Sequence, residues 1–188
     1  MACSATLILA ISLGKLASRT GRYLSVATAS ASPVQSALKF VYDSPWRTCF
    51  ALKDISKLPE YTPTFNTKTE CEAFGKASMD GSPCFGPYSG VDPKPKGIWT
   101  GDDCNIAECP EEYVCKNGLS GGECCVPEHE KLFREGTSDK CPNGKKAGGA
   151  TESGVFHVIV AESCKDLICG KNEECVQVNK FFAKCCGK

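Results

Sequence analysis

Two stretches of this chain carry the same ladder of cysteines. Cys84, Cys104, Cys109, Cys115, Cys124 and Cys125 are offset by 20, 5, 6, 9 and 1 residues. Cys141, Cys164, Cys169, Cys175, Cys185 and Cys186 are offset by 23, 5, 6, 10 and 1. A C-x4-C-x5-C run closed by a CC pair, and repeated, predicts two tandem cross-linked modules, at 80–127 and 139–188. Units of about 40 to 50 residues bury too little apolar surface to be secure alone. Each bridge restrains the unfolded chain by about 3 kcal/mol in the entropic picture, which compensates for the missing core. The expected fold class is therefore small, disulfide-rich and multi-module, with β/loop-rich cystine repeats.

Zinc is the competing use of so many thiols. Structural zinc takes paired cysteines two to four residues apart. No C-x2-C occurs in the chain, and adjacent cysteines do not readily share one tetrahedron. No metal and no cofactor is expected. Six cysteines per repeat allow fifteen pairings, and spacing does not choose among them. In an extended segment neighbouring side chains point to opposite sides, so each CC pair should tie its strand to two different places.

Lys plus Arg and Asp plus Glu balance at 22 each, and no basic stripe points to nucleic acid. No run approaches the length needed to span a bilayer. Residues 1–31 read as a secretory leader and spacer, with Ala5–Leu13 as the apolar core and small residues at Ala27, Ala29 and Ala31 for cleavage. Its basic, acid-free composition is shared with mitochondrial transit peptides, but the cysteine ladders favour an oxidising, extracellular destination. Removing the leader also removes Cys3, leaving an even 14 of the chain's 15 cysteines.

Residues 36–76 form a further unit. Leu38–Asp43 and Arg47–Leu52 predict a hairpin around Ser44-Pro45-Trp46. Thr67 and Glu70 form a capping box that starts a helix over Lys68–Phe74, with Gly75 as its stop. Beyond it, 76–83 reads as a linker, Gly86–Gly101 as irregular and Pro127–Ser138 as a polar connector. Val155–Val160 is the best strand signal, followed by Val176–Val178. Asn117-Gly118 favours a hairpin turn.

The segments KFVYDSPWRTCF and PTFNTKTECEAF resemble the second half of a Kunitz (pancreatic trypsin inhibitor type) domain. The resemblance implies a truncated α+β unit of hairpin plus C-terminal helix, with Cys49 bonded to Cys71 and Phe65 in its core. It departs from the family at four cysteine positions. Leu24, Pro33, Gly75 and a residue near Ser56 or Lys57 stand there instead, so two bridges are lost whole. The family's specificity residue aligns with Val34, which suits an elastase-like pocket. Without its bridge that inhibitory loop should be mobile and impaired. The two ladders, notably CPEEYVC at Cys109–Cys115, resemble lustrin-type cysteine-rich repeats that accompany Kunitz domains in secreted nematode proteins.

The resemblance implies a secreted serine protease inhibitor-like protein, partnered by a serine protease. The alternative is a structural or extracellular-matrix-binding protein. An enzyme is not expected. His129 lies in a charged connector and His157 in an alternating strand, and no nucleophile is paired with either by a motif. Phe181 and Phe182, flanked by Lys180 and Lys184, are candidates for an apolar recognition tip, although one packing inward is the plainer reading. Trp46 and Trp99 carry the same ambiguity.

Overall fold

The computed structural model describes residues 37–77, 82–87, 92–95, 103–119 and 121–188. The leader, Val34, Trp99 and residues 78–81 of the 76–83 linker lie outside the described residues, while Lys76 and Ala77 of that expected linker belong to a helix. Strands β1 (Lys39–Asp43) and β2 (Thr48–Leu52) pair antiparallel, from Lys39 opposite Leu52 to Asp43 opposite Thr48. Asp43 closes the turn by accepting the Trp46 N–H at 2.7 Å, and the Arg47 N–H donates to Ser44 O at 3.2 Å. Phe40 and Phe65 exchange two backbone bonds of 2.9 Å, which lays the following loop along the hairpin. Helix α1 (Lys68–Ala77) is then fastened to β2 by the Cys49–Cys71 bridge.

Thr67 caps α1 as expected, its Oγ1 accepting the Glu70 N–H at 3.1 Å. Gly75 is not the stop, because the helix runs through it to Ala77. A Cβ at Gly75 would lie 2.1 Å from the Tyr42 ring, so glycine serves here to let helix and hairpin approach.

The repeats share one connectivity, with first cysteine bonded to sixth, second to fourth and third to fifth. The bridges are Cys84–Cys125, Cys104–Cys115 and Cys109–Cys124 in one, and Cys141–Cys186, Cys164–Cys175 and Cys169–Cys185 in the other. In the first repeat, β3 (Lys94–Pro95) pairs with β4 (Ala107–Glu108), an ordered pairing inside the spacer expected to be irregular. Next, β5 (Val114–Gly118) and β6 (Gly121–Cys125) form the terminal hairpin. Asn117 and Gly118, expected as its turn, instead lie paired in β5, opposite Gly122 and Gly121. Asn117 stays in the strand because its Oδ1 accepts the Cys104 N–H at 2.9 Å and its Nδ2 reaches Asp103. Cys115 sits opposite Cys124 but bonds elsewhere, so each strand is anchored separately to the 104–109 segment.

The second repeat does not stand apart from the 36–76 unit. Its expected strand breaks at Ile159. β7 (Gly149–Glu152) and β8 (Val155–Val158) make a hairpin, whereas β9 (Val160–Ala161) enters another sheet. There β9 runs parallel to β2, with Phe50 opposite Val160, and antiparallel to β11 (Phe182–Gly187). With β10 (Glu173–Asn179) the order is β1-β2-β9-β11-β10. Leu38, Phe40, Cys71 and Ile159 pack in one buried cluster, and Trp46, Phe50, Val160 and Phe182 in another. Small units that cannot fill a core alone have pooled their apolar surface.

Residues 127–138 were expected as a polar connector but form helix α2 (Pro127–Thr137). Pro127 occupies the first turn, Glu128 and Glu130 answer the helix dipole, and Leu132, Phe133 and Gly136 pack on β10 and β11. A Cβ at Gly136 would lie 2.3 Å from the Phe182 ring. Lys184 of β11, fully buried, closes the other end. Its Nζ donates to the carbonyls of Glu135, Ser138 and Lys140 at 3.0, 2.8 and 2.9 Å. Burial pushes the lysine pKa below its ordinary value, and Asp139 opposes that push.

Lys184→Met keeps the aliphatic stem and strips three carbonyls of their donor. It should cost about 3 kcal/mol, since hydrogen bonds to charged groups are worth roughly 1.5–3 kcal/mol each. Urea denaturation of the oxidised chain measures this, and a loss below about 0.5 kcal/mol would remove Lys184 from the account.

Candidate functional site

The two ends of the β1–β2 hairpin have opposite surroundings. At the turn end Trp46 is only 5 % exposed, under the edge of the His129 ring (5.7 Å) and beside Phe181 (4.8 Å) and Phe182 (4.9 Å). It therefore packs inward, on α2. His129 is not a solvated connector residue. Its Nδ1 is buried with no hydrogen-bond partner among the described residues, and a Cβ on Gly86 would lie 2.2 Å from that atom.

The opposite end is open. Antiparallel pairing puts the start of β1 beside the end of β2, Lys39 opposite Leu52. Residues 53–61 then leave the sheet, nearly all exposed, with Tyr61 at 91 % and Ile55 at 41 %. Local turns hold this loop. Ser56 N–H donates to Asp54 Oδ1 at 2.9 Å, Leu58 N–H to Ile55 O at 3.1 Å and Thr62 N–H to Pro59 O at 3.0 Å. The Ser56 side chain and backbone hold the Asp54 carboxyl below its usual range.

Phe182 does not form a recognition tip. It is fully buried against Trp46, Phe50 (5.4 Å) and Phe133 (6.1 Å), and burial of such a ring is worth about 2 kcal/mol. Phe181 is half-buried on Trp46, with Lys180 over its ring at 5.0 Å. Asn179 causes this. Its Oδ1 accepts the Phe181 and Phe182 N–H groups at 3.1 Å, and its Nδ2 donates to Leu132 O at 3.0 Å. The turn is thereby laid down on α2.

His157 sits half-buried on β8, its Nδ1 3.7 Å from Glu72. Every cysteine among the described residues is bonded, and no group of three metal-ligating residues occurs among them. No helix among the described residues is long and apolar enough to cross a membrane. Seven bridges suit an oxidising, extracellular setting.

Helix α1 is held from the second repeat. Glu152 of β7 accepts the N–H groups of Lys68 (3.2 Å) and Thr69 (2.8 Å), capping the helix from another part of the chain. Lys68, itself buried, donates to Val158 O at 2.7 Å and lies 3.5 Å from Glu72. Burial lowers the Lys68 pKa, and Glu72 opposes that. For Glu152 burial alone would raise the pKa, but the bonds from Thr69 and Lys68 outweigh it and hold the carboxyl low. No protein-family model, curated protein or solved structure matches the chain, so the geometry carries the functional reading.

A carboxyl with a lowered folded-state pKa stabilises the fold above its ordinary value and loses that contribution as pH falls through the folded value. Glu152→Gln should lower stability at pH 7 by about 0.5 kcal/mol, the usual scale for a screened helix cap. As pH falls through the lowered folded value the difference should vanish. Denaturation curves of both proteins from pH 7 down through the acid range check it, and a pH-independent gap would contradict the ionic cap.

Proposed function

We propose that this is a secreted, non-enzymatic protein of the Kunitz serine protease inhibitor type. Its protease-facing end is the open end of the hairpin, where the chain arrives from Val34. The observation that carries the reading is the asymmetry of that hairpin. At the turn end Trp46 is buried beside α2, while the loop 53–61 at the other end faces solvent almost throughout. A preformed loop binds tightly because little ordering remains to be done. Here the loop 53–61 is held by local turns and has no cysteine, so inhibition should be weak and the inhibitory segment open to cleavage.

Titration against trypsin, chymotrypsin and elastase tests this. The expected result is weak inhibition favouring elastase, with slow cleavage after Val34. Val34→Arg should transfer the preference to trypsin. If no protease is inhibited and Val34 is not cut, the proposal fails. Retention on extracellular matrix would then support the alternative of a cross-linked matrix-associated protein.

A further inference from the structure

Of the seven bridges only Cys49–Cys71 spans the loop 53–61. A break anywhere in this loop would leave two pieces joined by one sulfur–sulfur bond. Non-covalent contacts would hold the same two pieces together. The leading piece carries β1 and β2, and its Trp46 and Phe50 are buried against Phe182 of β11. Phe50 also lies opposite Val160 of β9, and Phe40 exchanges backbone bonds with Phe65 on the far side of the loop. None of these contacts involves the loop itself.

The loop presents Lys53 and Lys57, both exposed. A protease takes its substrate as an extended run on both sides of the bond it cuts, which favours exposed loops over regular structure. Lys76, Lys131 and Arg134 sit in helices, Lys116 sits in a strand, and Lys68 and Lys184 are buried. Lys53 adjoins Leu52, which is still paired with Lys39, and is followed by the acid Asp54. Lys57 is better placed. Extending the chain around it breaks only short turn bonds, from Leu58 N–H to Ile55 O (3.1 Å) and from Ser56 N–H to Asp54 (2.9 Å). Asp54 attracts Lys57, but an exposed pair of this kind holds a side chain weakly. A proline directly after the lysine would obstruct cleavage, and here Leu58 takes that place.

We propose that Lys57–Leu58 is a processing site for a serine protease with an acidic specificity pocket, and that the product is a folded two-chain protein closed by Cys49–Cys71. The protease breaks the peptide C–N bond with one water, whose oxygen completes the Lys57 acid group and whose hydrogen passes to the Leu58 amine. The cut falls inside the Ile55–Leu58 turn, so it opens the exposed end of the hairpin and leaves the buried end as it was. The site adjoins the end proposed above to face a protease but calls for a pocket that takes lysine rather than valine. Cleavage and inhibition are read separately, so either proposal can fail alone.

Incubation of the full, oxidised chain with a catalytic amount of trypsin, followed by mapping of new amino termini, tests it. A terminus at Leu58 should appear on folded protein, and the cut chain should still melt cooperatively. Under denaturing conditions the piece ending at Lys57 should come away only on reduction. Lys57→Gln should lose that terminus and Lys57→Arg should keep it, with both variants as heat-stable as the parent. Absence of a Leu58 terminus from the folded chain overturns the proposal. So does a cut there that abolishes the cooperative melt, or a leading piece that separates without reduction.

Discussion

Val160 and Ala161 are fully buried between β2 and β11, and the rest of the structure depends on that two-residue junction. All seven bridges close within the hairpin–helix unit or within a single repeat. None ties one unit to another, so their assembly is non-covalent. β9 supplies a pairing edge to each neighbour, which removes two exposed strand edges that would otherwise invite association. The Glu152 cap, the Lys68 bond to Val158 and the Lys184 cluster then fix the elements on either side of the sheet. Cross-links make each piece rigid, and buried polar contacts with a shared apolar interior put the pieces together.

What could be read from the sequence follows the range of the interactions concerned. The hairpin, the Thr67 cap and the presence of three bridges per repeat rest on neighbouring residues or on regular spacing, and all were legible. Connectivity was not, because Cys115 lies opposite Cys124 without bonding it, a choice made by the path of the 104–109 segment. Helix α2 had a local signal in Pro127 followed by Glu128 and Glu130, yet its closing bonds come from Lys184 of β11. Gly75 and Gly136 look like ordinary breaks in sequence. Only the Tyr42 and Phe182 rings show that they are contact positions.

The candidate sites were less legible for the same reason. Phe181 and Phe182 between lysines look like an exposed tip unless one knows that Asn179 folds the turn onto Leu132. The charges of Lys180 and Lys184 looked alike in sequence, but one is solvated and the other is buried under three carbonyls.

On the Kunitz reading, the loss of two bridges has separate consequences for the fold and for the loop. A bridge closing such a loop is worth about 3 kcal/mol to the folded state, a sum that burial elsewhere can offset. Here β2 has become an inner strand, with Cys49, Phe50 and Ala51 buried, and Gly75 at a lost cysteine position packs beneath Tyr42. Such burial replaces stability but not local rigidity, because it acts on the sheet and the turn end. The loop 53–61 is held by its own short-range bonds, and among the described residues no strand of the shared sheet pairs with it. On that reading the segment whose stiffness would set inhibitory strength is the one left without support from the sheet, and the proposed protease complex would be short-lived rather than a tight trap.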